Sequence, residues 1–459
     1  MANKRGNVVD SIFRIQASGS TIKTEILSGV TTFVTMAYII FVQPAILSMC
    51  GMDFNAVMVA TCVSAAIGCF AMGFIANYPI ALAPAMGHNV YFVFVACPVL
   101  APILGQSCPV RPWQAALGAT FISGVIFMVC SFFGMRERIV NGVPVSLRNA
   151  IAVGIGLLIA LVGFEWSGIT VGHPVTYVAL GKLNSPPVLL SLGGLAVISC
   201  LMALKVRGAI LIGILATSAA GAFTGIVKYS GIFSSIPSMA PTFLKLNFTG
   251  LFHAGFLEVI FVFFFLDLFD TVGTLIGVGE KAGLLVRGKL PRAEKALFAD
   301  ALATSTGAVM GTSTVTSYIE SAAGVSQGGR TGLSAIVTGM LMLTAIFFRP
   351  IVSMIGSGYK MPDGTMLYPV IAPALIIVGC MMMTCVKGIK WDDYSESIPA
   401  FLAITVMPFC GFSITEGIAF GFISYSCLKL ICGKGRDVDP IIYIFSVLFL
   451  LRYTFLMSK

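Results

Sequence analysis

Five acidic residues of this sequence lie inside long apolar segments: Asp267, Asp270, Asp300, Glu320 and Glu416. A carboxylate at the centre of a bilayer costs about 2.5 to 3.5 kcal/mol on insertion scales, so each of these groups needs a cavity or a polar partner. Embedded acids therefore indicate either a functional site or a structural contact. Their surroundings in the sequence separate the two interpretations.

Asp270 and Glu320 are the stronger candidates for a functional site. Both lie in stretches rich in glycine, serine and threonine, which permit close approach of the backbone to a bound molecule. Thr274 follows Asp270 by four residues, so helical spacing places the two on one face. Asp267, three residues before Asp270, is only partly displaced from that face, and both interpretations stay open for it.

The other titratable residues of the apolar segments have weaker claims. Asp300 and Glu416 are isolated and lie near possible helix ends, which favours a structural cap or pair. His88, in the segment APAMGHNVYF, is a third candidate for proton transfer beside Asp270 and Glu320, because histidine titrates near neutral pH. A lone histidine in a membrane helix also often does no more than bond to the backbone.

Such carboxylates can accept hydrogen bonds and can transfer protons. An ionised carboxylate accepts hydrogen bonds from ring N–H groups, and a carboxylate removed from water also takes up a proton readily. Together these properties predict proton-coupled transport of a neutral, planar molecule that is rich in N–H donors. Such transport needs no cofactor, since the proton is the coupling ion, with sodium left open as the alternative.

The elements that must position these residues are membrane helices. Of the 459 residues, 57% are hydrophobic and only 10% are charged, which leaves little polar surface for a water-facing exterior. The net charge of +9 is concentrated in loops on one side, so it indicates orientation rather than nucleic-acid binding. The twelve cysteines include no CxxC pair, which favours packing roles over metal binding or disulfides.

The apolar runs predict an all-α polytopic membrane protein with fourteen transmembrane segments and a cytoplasmic N-terminus. In that orientation, twenty of the 28 lysines and arginines fall in cytoplasmic loops and six fall in outer loops. The polar segment 1–24 shows no cleavable leader pattern and is expected to stay on the cytoplasmic side. A fifteenth run, 440–455, is then left on the cytoplasmic side, and we interpret it as an interfacial helix.

A weak internal duplication divides the chain into two halves, 25–230 and 250–435, followed by a C-terminal segment, 436–459. Segment 208–227 resembles segment 414–432 in its rhythm of small residues, and the two stand seven segments apart. Because seven is odd, the second half is inserted upside down. The halves are therefore predicted to be inverted repeats.

Two corresponding segments of these halves, 84–103 and 318–328, are short or interrupted. Pro84, Gly87 and Asn89 break the first, and glycines, serines and threonines crowd the second. Paired broken segments in inverted halves are the sequence sign of a binding site near the middle of the membrane. Backbone groups freed there need partners, which a polar substrate can supply.

Three longer motifs resemble a known family. They are FLDLFDTVGTLIG from Phe265, TSTVTSYIESAAGVSQGGRTGL from Thr312 and GVTTFVTMAYIIFVQP from Gly29. They are similar to the purine permeases of the azaguanine-permease-like group, within the nucleobase/ascorbate transporter superfamily, and the similarity extends over essentially the whole chain. The resemblance implies two inverted repeats of seven segments, a core domain and a gate domain, and short strands in segments 3 and 10.

The resemblance also implies a role for each site residue. Asp270 and Glu320 would hold opposite edges of a purine base, and Thr274 stands where relatives can have a histidine that takes part in proton coupling. Asp267 is carried along as a neighbour within the same motif. The backbone amides expected to help are those near His88, Asn89 and Ser321.

Segment 3 departs from the pattern of the family it resembles. Its strand is expected from Ala85 to Tyr91, where the usual run reads APGMGLNAFF. Here Ala85 replaces a glycine, His88 an apolar residue and Val90 a small one, and Gln327 stands where a glutamate is common. These departures bear on which base is preferred and on how transport is coupled.

The function predicted from these observations is secondary active import of guanine, hypoxanthine or adenine by proton symport, across a plasma membrane or bacterial inner membrane. An anion or other small-solute transporter or channel on the same fold is the alternative, although positive groups would then be expected at its centre. An intramembrane aspartyl hydrolase would need aspartates on two helices, whereas Asp267 and Asp270 share one. The expected partners are the purine base, membrane lipid and a second copy of the chain, but no nucleic acid.

Overall fold

The computed structural model of this chain describes residues 8–105, 110–132, 143–285, 290–356, 358–410 and 413–455. Several residues that the orientation prediction uses lie outside the described residues, namely Lys4, Arg5, Arg136, Arg138, Arg287 and Lys289.

Helices account for most of the described part of the chain. In order they are α1 Val8–Phe13, α2 Ile22–Met36, α3 Ile39–Ser48, α4 Phe54–Ala71, α5 Met86–Tyr91, α6 Cys97–Leu104, α7 Pro112–Phe132, α8 Val145–Ser167, α9 Pro186–Ala203, α10 Ala209–Phe223, α11 Ala254–Lys281, α12 Ala293–Met310, α13 Ser321–Val325, α14 Gly332–Ala345, α15 Arg349–Gly356, α16 Ala372–Met382, α17 Tyr394–Phe409, α18 Ile414–Ile431 and α19 Pro440–Phe455.

Short strands form three antiparallel pairs among the described residues. Two of the pairs are hairpins in loops, and the third joins strands that are far apart in the sequence. The strands are β1 Leu82–Pro84, β2 Thr170–His173, β3 Tyr177–Leu180, β4 Val315–Ser317, β5 Tyr359–Lys360 and β6 Met366–Leu367, paired as β1 with β4, β2 with β3 and β5 with β6.

Nine stretches within the described residues are long and apolar enough to cross a membrane. The expectation of a mostly helical, multi-pass membrane protein is therefore confirmed. The count of fourteen segments stays a prediction, because α10, α16 and α19 are shorter apolar helices. The nine stretches are Ile22–Ser48, Phe54–Ala76, Met86–Leu104, Pro112–Ser131, Val145–Ser167, Pro186–Ala203, Ala254–Lys281, Gly332–Gly356 and Ile414–Ile431.

The strand of the third segment lies earlier than the sequence predicted. It ends at Pro84, and the predicted strand from Ala85 to Tyr91 is wrong, because Met86–Tyr91 is helical. Proline has no N–H to give to a strand ladder and often stands just before or at the start of a helix. Ala85 is the last extended residue, with φ −81° and ψ 134°, and it serves as the N-cap of α5.

The helices pack as two groups. The first group consists of α2 to α7 and α11 to α15, where α12 packs against α4 and α7, and α14 packs against α2 and α4. The second group consists of α8 to α10 and α16 to α18, where α16 and α17 both pack against α8. The paired strands β1 and β4 belong to the first group, since they contact α4, α11 and α12. Direct contacts between the groups include those of α5 with α8 and of α10 with α2 and α15.

A close backbone contact in the first group gives a test of this packing. A Cβ atom at Gly332 would lie 2.2 Å from the carbonyl oxygen of Gly73 and 2.7 Å from its Cα, and neither backbone atom can turn aside. We expect Gly332→Ala to cost about 1 to 3 kcal/mol of stability. The amount of protein in the membrane and its unfolding temperature in detergent should both fall.

The matched control is Gly193→Ala on α9, because no atom lies within 4 Å of a Cβ added there. Alanine favours a helix over glycine, so this variant should keep or slightly raise the unfolding temperature. Equal behaviour of the two alanine variants would contradict the close contact between Gly332 and Gly73.

Candidate substrate site

The paired strands β1 and β4 form the frame of the candidate site. Beyond the ladder itself, the N–H of Ala85 donates to the carbonyl of Thr314 at 3.0 Å, and the N–H of Tyr318 donates to that of Ala81 at 2.9 Å. Each strand leads directly into a helix, β1 into α5 and β4 into α13. Two broken segments therefore meet at one point, which is the arrangement expected of a binding site inside a helical membrane protein.

Asp300 fastens β4 to the surrounding helices. Its Oδ1 accepts hydrogen bonds from the backbone N–H and the hydroxyl of Ser317, both at 3.0 Å, and its Oδ2 accepts one from Thr271 at 2.7 Å. It is fully buried in the middle of α12. The expectation that Asp300 is isolated and near a helix end is wrong, because it lies in the middle of α12 and its partners come from β4 and α11. A structural role nevertheless fits these contacts.

Asp267 belongs to the same buried cluster as Asp300. Its carboxylate oxygens lie 3.3 Å from the hydroxyl of Thr271, which Asp267 shares with Asp300, and 3.2 Å from the hydroxyl of Thr304, and the residue has no exposed surface. The single hydroxyl hydrogen of Thr304 is shared between Asp267 and the carbonyl of Val315, which is nearer at 2.8 Å, and this contact ties the cluster to β4. The oxygens of Asp267 thus have partners within the protein.

Asp270 has different surroundings although it lies only three residues further along α11. Its side chain is 44% exposed, and it accepts no hydrogen bond from any described residue. It lies about 24 Å from the start of the helix, at 1.5 Å per residue, and therefore near the middle of α11. An accessible carboxylate at this depth is free to accept hydrogen bonds from a ligand.

His88 lies beside Asp270. Its Nδ1 is 4.0 Å from Oδ2 of Asp270, which is too long for a hydrogen bond. The side chain is only 2% exposed, and neither ring nitrogen has a hydrogen-bond partner among the described residues. Buried polar atoms usually have partners, so an unpartnered imidazole next to an accessible carboxylate indicates a place for a ligand or water.

Glu320 is held by a residue that the sequence analysis missed. The hydroxyl of Tyr38 donates to Oε1 of Glu320 at 2.6 Å. Tyr38 is buried where α2 and α3 separate. The available signal was a tyrosine inside an apolar run, because a buried tyrosine hydroxyl generally finds a partner. Glu320 directly precedes α13, which packs against α11, the helix that carries Asp270.

Asn89 supports the frame with its side chain. Its amide donates to Oε1 of Gln43 and accepts from the hydroxyl of Ser313, while Gln43 also donates to Thr312 at 2.8 Å. The backbone N–H of Asn89 donates to the carbonyl of Ala85 at 3.0 Å. Both the side chain and the backbone amide of Asn89 are therefore occupied within the protein. Gln43, which links α3 to both broken segments, was not singled out from the sequence.

Ser321 and Thr274 lie at the edge of the site. The hydroxyl of Ser321 accepts the N–H of Ala81 at 3.0 Å, and the backbone N–H of Ser321 donates to the carbonyl of Tyr318 at 3.1 Å. Thr274 is buried one turn beyond Asp270 on α11.

Among the residues that depart from the family's usual pattern, His88 lies next to Asp270 in the predicted site. Ala85 caps α5, Val90 is buried within it, and Gln327 lies in the turn between α13 and α14.

Comparison with known proteins identifies the family of the chain. A profile of the Xan_ur permease family, described as a permease family, matches residues 23–420. The chain belongs to this family. It is therefore a transporter rather than an enzyme.

Two curated relatives and one solved structure are similar to this permease over most of its length. The adenine permease AdeP of Escherichia coli is 42% identical, over 98% of this chain and 96% of its own length. The guanine/hypoxanthine permease PbuG of Bacillus subtilis is 43% identical, over 97% of this chain and 99% of its own length. The transmembrane domain of the cyanobacterial bicarbonate transporter BicA shares the fold, with a TM-score of 0.59 at 15% identity, over 94% of this chain and 96% of that one.

The role assigned to Asp300 predicts a stability change. In Asp300→Asn, an NH2 group replaces one of the two oxygens and would face the N–H of Ser317 or the hydroxyl of Thr271. Losing a buried hydrogen bond to a charged group is expected to cost about 1.5 to 3 kcal/mol. The unfolding temperature of the permease in detergent should therefore fall.

The control is Asp363→Asn, at an exposed turn where Oδ1 accepts the N–H of Thr365 at 2.9 Å. Asparagine keeps an oxygen for that contact, so this change should leave the unfolding temperature almost unaltered. If Asp300→Asn were equally silent, the cluster around β4 would not carry stability.

Proposed function

We propose that this permease imports purine nucleobases, namely guanine, hypoxanthine or adenine, by proton symport. The observation that carries the proposal is an accessible carboxylate, Asp270, beside the unpartnered His88 and on a helix that packs against α13, which Glu320 directly precedes. Two similar proteins are named as an adenine permease and a guanine/hypoxanthine permease, which supports this substrate class.

The proposed binding mode follows from hydrogen-bond chemistry. A purine base is planar and neutral and carries N–H donors, which carboxylates accept. Asp270 would hold one edge of the base and Glu320 the other, with His88 and Thr274 beside Asp270. Desolvated polar groups that match a ligand also reject molecules lacking the matching donors.

The remaining residues of the predicted site are proposed to act around the base. The group near Asn89 and Ser321 would shape the ends of the broken segments, and Asp267 would hold α11 in place. These residues already make hydrogen bonds within the protein, which favours a structural role for them rather than direct contact with the base.

Asp270, Glu320 and His88 are the proposed carriers of the coupling proton. One proton moving down about 100 mV supplies about 2.3 kcal/mol, which corresponds to roughly fiftyfold accumulation of a neutral base. Sodium is the alternative coupling ion. Replacing external sodium by choline at constant pH separates the two, because proton symport should be unaffected by the exchange.

We also propose that the two inverted repeats, 25–230 and 250–435, together contribute fourteen transmembrane segments, with the first group of helices as the core and the second as the gate. The packing supports this, because contacts recur in equivalent pairs. α7 packs on α12 as α14 packs on α4, and α9 packs on α10 as α17 packs on α18. Transport would move the core against the gate.

The proposed orientation places the N-terminal segment 1–24 on the cytoplasmic side of a plasma membrane or bacterial inner membrane. A homodimer formed through gate helices is proposed as well. Exposed apolar side chains on gate helices support it, among them Leu189, Phe401 and Phe420.

Uptake measurements test the substrate and the site together. In cells that lack their own purine transporters, expression should raise uptake of a labelled purine, and more so at lower external pH. Asp270→Asn and Glu320→Gln should each lower uptake at least about tenfold, because each loses a hydrogen bond to a charged acceptor.

The matched control is Asp53→Asn, since asparagine serves as well as aspartate at the N-cap of α4. Unchanged purine uptake on expression would refute the substrate class, and uptake of labelled sulfate or bicarbonate instead would favour the anion alternative. Full, pH-dependent uptake by Asp270→Asn or Glu320→Gln would refute the site.

Tyr38 is proposed to orient Glu320 for the base. Tyr38→Phe removes the hydroxyl that donates to Glu320 at 2.6 Å and keeps the ring. The KM for the purine should rise about tenfold or more, with a smaller change in the maximal rate. The hydrogen bond that orients Glu320 contributes about 1.5 to 3 kcal/mol of binding free energy, which the variant loses.

Tyr443→Phe is the control, because the hydroxyl of Tyr443 donates at 2.9 Å to the carbonyl of Gly435 and not to Glu320. An unchanged KM in Tyr38→Phe at equal protein levels would show that Glu320 needs no help from Tyr38.

A further inference from the structure

The C-terminal helix α19 lies lengthwise along α18. The hydroxyl of Ser446 donates to the carbonyl of Phe422 at 2.9 Å and is 2.7 Å from the hydroxyl of Ser426. Nearer the C-terminal end of α19, the hydroxyl of Tyr453 donates to the carboxylate of Glu416. Later residues of α19 thus meet earlier residues of α18, so the two helices are antiparallel along their lengths.

The same helix also lies along α11. The rings of Phe445 and Phe265 are 5.2 Å apart, and those of Phe449 and Phe261 are 5.9 Å apart. The pairing is again antiparallel, since the later residue of α19 meets the earlier residue of α11. α11 carries Asp270 and belongs to the first group, whereas α18 belongs to the second, so α19 contacts both groups.

Arg452 joins the two groups at one end of α19. Its Nε is 2.8 Å from the carboxylate of Glu258 on α11, and its Nη1 is 2.7 Å from that of Glu416 on α18. The three side chains are between 14% and 17% exposed. Largely buried charges are strongly disfavoured without their partners, so each pair holds its helices together.

The length of α19 matches that of neighbouring helices. Its 16 residues equal those of α17 and exceed the 15 of α10. From Pro440 to Arg452 the helix rises about 18 Å, and α18 rises about 20 Å from Glu416 to Lys429. A helix lying in the plane of the interface could not reach both Ser426 and Glu416 on a neighbour that crosses the membrane.

We propose that α19 is a fifteenth membrane-crossing segment and that Arg452 is a clasp between the two helix groups. The sequence instead predicted an interfacial helix at 440–455. The clasp part rests on the proposed function, in which the groups move against each other, and the crossing part does not. α19 stays with α18, to which it is bonded through Ser446, so that motion of α11 opens the contact between Arg452 and Glu258.

The crossing is tested by epitope tags in intact cells. One tag follows the C-terminus of the chain, and the other is inserted after Gly435, in the turn between α18 and α19. We expect external protease to remove only the C-terminal tag, because α19 returns to the side where α18 began. Removal of both tags or of neither would overturn the crossing, whatever the permease transports.

The clasp is tested by comparing Glu258→Gln with Glu416→Gln. The first breaks the pair that joins α19 to the first group, and the second breaks the pair that joins α19 to the second group while leaving Arg452 next to Glu258. Net uptake of labelled guanine should differ about threefold or more between Glu258→Gln and Glu416→Gln, whereas exchange of labelled for unlabelled guanine should differ less. The reason is that loss of the pair between Arg452 and Glu258 changes the population of the conformation that this pair stabilises.

A second readout needs no substrate. Cysteines replacing Phe261 and Phe449 are crosslinked in membranes, and a protease site introduced between α11 and α12 reveals whether the fragments stay joined. Glu258→Gln should lower the crosslinked fraction, and Glu416→Gln should not.

The outcomes of these tests are separable. Equal crosslinking in both variants would overturn the clasp even if the permease takes up no purine. Absence of purine uptake by the unaltered permease would refute only the proposed function.

Discussion

The pairing of β1 with β4 is the contact on which the rest of the site depends. Away from water, every backbone N–H and carbonyl needs a partner, and a helix that breaks inside a membrane protein exposes several of both. Here the two broken segments satisfy each other, through the ladder and the flanking bonds of Ala85 and Tyr318. The starts of α5 and α13 are fixed by the same bonds, and His88 and Glu320 take their positions from those starts.

The acids around this frame are separated by their partners rather than by their type. Asp300 and Asp267 accept hydrogen bonds from threonines and from β4, so their oxygens are used in holding the fold. Asp270 accepts none from the described residues and is accessible. A carboxylate whose lone pairs are already taken has little to offer a ligand, whereas one that remains open costs free energy until a ligand or a proton arrives. Three residues along one helix are enough to separate these two roles.

Local features of the sequence were sufficient to predict the membrane class and to single out Asp270 and Glu320 as candidates, because an embedded acid is costly wherever it lies. They were insufficient for the partners. Tyr38 and Glu320 are 282 positions apart, and nothing in either segment names the other. Asp300 looked isolated for the same reason, since its bonds come from β4 and α11. The strand implied by the resemblance starts three residues too late, because β1 ends at Pro84 and the chain is already helical from Met86.

The two helix groups are each locked internally by close glycine contacts. A Cβ at Gly379 on α16 would lie 2.4 Å from the carbonyl of Gly156 on α8, just as one at Gly332 would meet Gly73. Backbone atoms in such contacts cannot turn aside, which resists sliding within a group, whereas the nearest atoms to a Cβ at Gly87, on the boundary between the groups, belong to the side chain of Ile155. α5 lies on that boundary, and Gly87 there approaches Ile155 of α8, one residue before His88. Displacement of one group against the other therefore acts directly on the neighbour of Asp270, which links the opening of the site to the motion that would carry a substrate across.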